Sequence, residues 1–384
     1  MYTKITFENY KIFKNKQTLE IHPVTILFGK NNAGKSAILK LPLLLADGLR
    51  GKSSEVASSE FNGKDLYADI RDLIYGRATR AVKIGVDDSV NDSHLSFSFF
   101  VDNEQDIKSR IEHWSFTAKN VNLNIDNETG TVSFLGVIPQ ILSPDEKNEL
   151  DKVGGFVDYI GNIRLNHDLR DMRIKTLAEC SSLDGEKGYY HLLKDSQTSS
   201  RAMLRKVSNW YTKTFAGWGI DVDGVNNPVF HINVTNGYIQ TNIEDAGFGI
   251  VQSLPIVIRA CRPCIRETLI ILEEPEAHLH PSAQGNLGEL IAQSALEDKN
   301  KRYLIETHSF NFILRIRSLI ASGKLKKEDV AMYFVDYNDK EKSSSLKRIQ
   351  IDDEGKVSNW PKGLFEETYD EIMRIINARN KKEA

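Results

Sequence analysis

The chain has 384 residues, 40% of them hydrophobic, and a formal net charge of -3. That is enough apolar material for a large core and for two domains, and the mildly acidic balance argues against a global positive field for nucleic acid. Three cysteines, Cys180, Cys261 and Cys264, are too few for a disulfide scaffold, and no apolar run is long enough for a spanning helix. Met1 to Tyr10 is alternating and polar, so no signal peptide is expected and the cytoplasm is the default location.

Tyr2 to Asn9 alternates like a strand, and Phe13 to Ile21 contains a second. Val24-Thr25-Ile26-Leu27-Phe28 is continuously apolar, as in a buried strand of a parallel sheet. The three are expected to form one N-terminal sheet. Next comes Gly29-Lys30-Asn31-Asn32-Ala33-Gly34-Lys35-Ser36, followed by an apolar helix start at Ala37-Ile38-Leu39. Strand, glycine loop and helix make the context of a phosphate-binding loop. Gly29, Asn31, Asn32, Ala33, Gly34 and Ala37 would line the nucleotide through the loop backbone and helix N-terminus. Lys35 would reach the β- and γ-phosphates of ATP, and Ser36 would ligate Mg²⁺. Pro42 is expected to bend or shorten the helix.

Residues 48–65 are Gly/Ser-rich and read as an exposed connection; Asp69 to Gly76 reads as a short helix. From Ala81 to Leu135 the pattern changes to short alternating strands, Val82/Ile84/Val86, Leu95/Phe97/Phe99 and onward, expected to extend the N-terminal sheet. Leu150 to Leu193 is irregular. Ala202 to Phe215 is amphipathic, with Leu204, Val207, Trp210, Tyr211 and Phe215 apolar. The same stretch carries Arg201, Arg205, Lys206 and Lys213 without an acid, so it reads either as a nucleic-acid patch using Trp210 and Tyr211 for stacking or as an ordinary helix packed by its aromatic face. Nucleic acid stays open as a partner; a membrane does not.

After Gly247 the βα alternation resumes. A helix is expected over Gly249 to Arg259, a strand over Thr268 to Leu272, a helix over Ser282 to Leu296 and a strand over Arg302 to Ile305. A further helix to Ile320, strands at Val330 to Tyr337 and Leu346 to Ile351, and a terminal helix over Phe365 to Ala378 complete the pattern. The expected division is 1–80 and 243–384 for a core assembled from both chain ends, with an inserted β-rich and helical region at 81–242. Two carboxylates end the Thr268 to Leu272 strand, where ligands of open α/β sheets bind. Glu273 would hold Mg²⁺ through water and Glu274 would orient and polarise the attacking water. His308 ends the next strand and could bond the γ-phosphate or that water. Glu276, His278 and His280 admit a metal site, with a structural role preferred. Cys261 and Cys264 have redox-motif spacing, with plain thiols preferred.

Four segments in this order carry a resemblance. They are Phe28 to Ser36, Asp245 to Pro255, Leu272 to Pro281 and Ile305 to Ser309, supported by Tyr159 to Arg164 and Trp360 to Phe365. The chain resembles the ABC/SMC-like AAA ATPases of the overcoming-lysogenization-defect type used in bacterial antiviral defence. The resemblance implies an α/β, ABC-type P-loop core that hydrolyses ATP with Mg²⁺ as a head-to-tail homodimer or higher oligomer. The signature of one copy, with Gly247 and Gly249, would close over ATP held by the other. Relatives append a Toprim nuclease, but Asp336, Asp339, Asp352 and Asp353 do not form its carboxylate cluster, so a toxic or nuclease effector is expected in a partner chain. An SMC-like DNA-repair or DNA-clamp ATPase is the alternative. A membrane importer is disfavoured by the inserted region, and an ATP-binding scaffold without turnover by Glu274.

Overall fold

The computed structural model describes residues 2–61, 64–102, 108–119, 121–153, 156–160, 175–176, 189–223 and 229–361. Two six-stranded sheets organise them. The first is antiparallel, in the order Gln17–Glu20, Lys4–Glu8, Val82–Asp88, Ser93–Asp102, Lys108–Ala118 and Val121–Asp126. Its period-two pattern has a physical counterpart: Ile5, Leu95, Phe97, Trp114 and Phe116 are buried in one core cluster.

The second sheet runs Phe156–Ile160, Thr268–Glu273, Lys301–Glu306, Val24–Gly29, Val330–Asn338 and Ser343–Ile349. Its first five strands are parallel, and the last pairs antiparallel with Val330–Asn338. All six residues of Val24–Gly29 are buried because both faces of the strand are covered. Leu27 packs into the core shared with the antiparallel sheet, whereas Ile26 and Phe28 pack into a second core with the helices Ala202–Thr214, Phe248–Cys261, Pro281–Glu297 and Phe310–Ala321.

The expectation of one sheet from the first three strands is corrected. Lys4–Glu8 and Gln17–Glu20 pair with each other and with Val82–Asp88, while Val24–Gly29 lies between Lys301–Glu306 and Val330–Asn338. A half-buried alternating strand suits a sheet with one core face, and a wholly apolar one suits the centre of a parallel sheet. Residues between 81 and 242 enter both sheets: four strands join the antiparallel one, and Phe156–Ile160 edges the parallel one. Pro42 lies within an unbroken helix, Lys35–Gly48. The turn region at Asp69 to Gly76 forms two short 3-10 turns, Ile70–Leu73 and Tyr75–Arg77, in place of one helix. The helix expected over Phe365 to Ala378 lies outside the described residues, as does Cys180. Among the described residues, no helix is long and apolar enough to cross a membrane.

Candidate active site

Three neighbouring strands of the parallel sheet end at one edge, and their loops carry the chemistry. Val24–Gly29 delivers the phosphate loop, Lys301–Glu306 delivers Glu306, Thr307 and His308, and Thr268–Glu273 delivers Glu273 and Glu274. The register places Glu273 directly opposite Glu306.

The loop needs glycine at Gly34. Its φ is +103°, and an added Cβ would lie 2.8 Å from the Ile12 side chain. Gly34 caps the helix Lys35–Gly48, and its carbonyl accepts from the Ala37 and Ile38 amides at 3.1 and 3.2 Å. Lys35 is 3% exposed, and its ammonium donates to the Gly29 and Lys30 carbonyls at 3.1 and 2.9 Å. Burial lowers its pKa, opposed by the nearby Glu306 and Glu274 carboxylates. The Ser36 hydroxyl donates to both Glu306 oxygens, at 2.9 and 3.2 Å, and Lys35 Nζ lies 3.7 Å from Glu306 Oε1.

Glu306 was not singled out from the sequence, yet it is the carboxylate nearest the phosphate-loop hydroxyl. It is 4% exposed, and burial pushes its pKa up to about 7, against the pull of Lys35 and Ser36. The signal is in the sequence: Glu306, like Glu273, is a carboxylate that ends a buried apolar strand. Glu273 itself is held by Lys64, whose ammonium lies 2.6 Å from Oε2.

Glu274 adopts a left-handed backbone, φ +46°, and its amide donates to the Glu306 carbonyl at 2.9 Å. Its carboxylate lies 3.3 Å from His308 Nε2. Burial and the Lys35 charge lower the His308 pKa, against Glu274, so the imidazole is held toward its neutral form. Two bonds fix the His308 segment: the Thr307 amide donates to the Leu27 carbonyl at 3.0 Å, and the His308 amide donates to Glu276 Oε1 at 2.7 Å. Glu276, 4% exposed, is therefore a structural anchor of this loop.

The donor set fits a hard cation. Glu274, Glu306 and His308 present ligand atoms within 4.8 Å of one another, with Ser36 Oγ bonded to Glu306. Carboxylate and hydroxyl oxygens are the chemistry of magnesium with a nucleotide. The other described cluster of this kind, His113, Asp126 and Glu128, is exposed and remote in the antiparallel sheet. Glu276, His278 and His280 do not form one.

Gly247 and Gly249 open the helix Phe248–Cys261. A Cβ on Gly247 would meet nothing within 4 Å, whereas one on Gly249 would lie 2.6 Å from the His278 carbonyl oxygen. The signature helix is thus packed against the segment that follows Glu274. The basic stretch at Ala202–Thr214 is packed too: Tyr211 is buried, its hydroxyl bonded to the Ile250 carbonyl and Ser253, and Trp210 Nε1 donates to the Asn286 carbonyl at 3.4 Å. Tyr211 offers no face to a base. Asp336 pairs with Lys347 at 2.7 Å and Asp339 with Lys342 at 3.8 Å, two surface pairs. Trp360 stacks on Phe28 with centroids 5.1 Å apart, docking the C-terminal segment beneath the phosphate-loop strand.

Residues 165–313 match the AAA ATPase domain family, and residues 325–375 match a family described as protein of unknown function (DUF3696). No curated protein matches the chain. Among solved structures, the Smc head bound to the C-terminal winged-helix domain of ScpA superposes with a TM-score of 0.55 at 14% identity, covering 90% of this chain and 97% of that one. A Smc head with an extended coiled coil, bound to the C-terminal domain of ScpA derived from Pyrococcus furiosus, gives 0.51 at 14% identity over 98% and 99%. The fold is that of an ABC-type P-loop ATPase, and the match over residues 165–313 is to an ATPase domain.

Proposed function

We propose that this ATPase is a switch: two copies close head to tail over ATP, hydrolysis reopens them, and a separate effector chain reads the state within bacterial antiviral defence. The observation that carries the switch is the convergence of Lys35, Ser36, Glu274 and His308 at one edge of the parallel sheet, with His308 Nε2 3.3 Å from Glu274. The phosphate-loop backbone of Gly29, Asn31, Asn32, Ala33, Gly34 and Ala37 holds the phosphates, and Lys35 neutralises the β- and γ-groups. Ser36, with Glu273 or Glu306 behind it, would hold magnesium, which would supply charge neutralisation at the phosphates. Glu274 accepts the proton of the water that attacks the γ-phosphorus as the bond to the bridging oxygen breaks. His308, near neutral, orients that water or the γ-phosphate.

Dimer closure is supported by the single phosphate loop and by Gly247, which faces open space at a helix N-terminus. The defence assignment is supported by the order of the four motifs from Phe28 to Ser309. The cytoplasm is the proposed location. The SMC-head fold favours one further reading, a DNA-clamp ATPase; the buried Tyr211 counts against direct contact through the Ala202–Thr214 aromatics.

Light scattering of Glu274→Gln with and without Mg-ATP tests the switch. The expected result is a nucleotide-dependent gain of at least one protomer mass, and a monomer at saturating ATP overturns closure. Phage plating on cells carrying the chain and its neighbouring gene tests the biology: Lys35→Ala should abolish protection.

A further inference from the structure

The geometry points to Glu306 as the positioning residue of the magnesium ligand Ser36. This rests on the proposed Mg-ATP site and assigns within it a role that the strand order would otherwise give to Glu273. A serine that ligates a cation through an oxygen lone pair keeps its proton, and that proton must be accepted by a neighbour if the lone pair is to stay aimed at the metal. Glu306 is that neighbour, accepting the Ser36 hydroxyl at 2.9 Å from a buried position.

Glu273 is placed differently. It sits opposite Glu306 in the register, but its carboxylate is drawn to Lys64 at 2.6 Å. The two glutamates end adjacent strands, so one extra methylene relative to aspartate matters. Glu306 reaches across to the phosphate-loop helix, and its second oxygen stays within 3.7 Å of Lys35 Nζ. One carboxylate thereby sets both side chains that grip the triphosphate and its ion. The Glu306 backbone carbonyl also accepts the Glu274 amide, which ties this positioning to the residue proposed as the base.

The test is Mn²⁺ binding to the full-length protein with ADP, read by electron paramagnetic resonance, alongside ADP affinity in excess chelator. Glu306→Gln should weaken Mn²⁺ about tenfold or more, the usual loss for an outer-shell ligand partner. Chelated ADP affinity should hold and the melting temperature should not fall, which a merely structural role would not allow. A double-mutant cycle separates indirect from direct action: in a Ser36→Ala background, Glu306→Gln should add less than about threefold, because its route to the ion is already gone. Glu273→Gln should lose less than Glu306→Gln. Wild-type-like Mn²⁺ affinity in Glu306→Gln, fully additive losses with Ser36→Ala, or a larger loss in Glu273→Gln each overturn the assignment of Glu306. A wild-type protein whose ADP binding ignores Mn²⁺ removes the Mg-ATP reading itself, and this role with it.

Discussion

The Phe248 ring meets the His278 ring edge-on, with centroids 4.6 Å apart and planes at 79°. Phe248 opens the signature helix and His278 lies four residues beyond Glu274, so the contact joins the surface proposed to cover a second copy's ATP to the loop that carries the base. His278 has a φ of +61°, so the loop conformation is specific rather than relaxed. Removing the ring should uncouple the two. Phe248→Ala is expected to keep nucleotide affinity in the isolated chain within about twofold and to lower kcat about tenfold, or ~1.4 kcal/mol of barrier. Fluorescent-nucleotide titration beside phosphate release measures both, and an unchanged kcat would show that the contact transmits nothing.

The base assignment makes a sharper demand. Glu274→Gln should bind ATP and release phosphate at least about a hundredfold more slowly, the usual scale for a general base. Lys35→Ala should lose binding as well as turnover, because the Nζ that bonds the Gly29 and Lys30 carbonyls is also the group placed for the phosphates. Normal phosphate release by Glu274→Gln would falsify the assignment.

Two glycines of one motif should respond oppositely to substitution. Gly247 has open space and a φ of -57°, so Gly247→Trp should fold with an unchanged melting temperature and fail only in ATP-dependent assembly. At Gly249 even alanine meets the His278 carbonyl at 2.6 Å, backbone that cannot swing aside. Gly249→Ala should therefore cost roughly 1–3 kcal/mol in denaturant titration. Equal melting temperatures for the two variants would contradict this packing.

Glu306 also predicts a pH dependence of stability in the absence of nucleotide. Its folded pKa of about 7 lies above the ordinary 4.5, so the folded state binds the proton more tightly than the unfolded chain. The resulting destabilisation is absent below pH 4.5, grows between 4.5 and 7, and is complete above 7. Glu306→Gln removes it. The variant should match wild type near pH 4.5 and exceed it at pH 8, by on the order of 2 kcal/mol. Calorimetric melts at both pH values check the crossover; a constant offset between the two proteins would mean that the carboxyl does not titrate in this window.

Much of the site was legible because it rests on local rules. Val24–Gly29, the glycine loop and the helix after it are one contiguous signal, and the structure brings Lys35 and Ser36 to the strand end where Glu274 and His308 also lie. What escaped depended on long-range placement. Glu306 reads as an ordinary strand terminus until the sheet sets it 270 residues away from Ser36 in sequence and within hydrogen-bond distance in space. The split of the N-terminal strands between two sheets was equally hidden: Lys4–Glu8 and Val24–Gly29 are close in sequence, and only their different burial patterns, one-sided and complete, separate them. Tyr211 illustrates the converse, since an aromatic among cations suggests a stacking surface until its hydroxyl is found donating to the Ile250 carbonyl in the first turn of the signature helix.

The placement of Val24–Gly29 between Lys301–Glu306 and Val330–Asn338 has a consequence for biosynthesis. A ribosome emits the phosphate loop long before the strands that flank it, which begin at Lys301 and Val330. The antiparallel sheet, whose strands all lie before residue 127, has its partners within reach far sooner. Until those strands emerge, the nascent chain carries a β-structure beside an unclosed apolar strand, a state open to chaperones and to aggregation. Completing the nucleotide site waits on these strands, so a polypeptide released before Lys301 lacks the strand that carries Glu306 and sets the Ser36 hydroxyl.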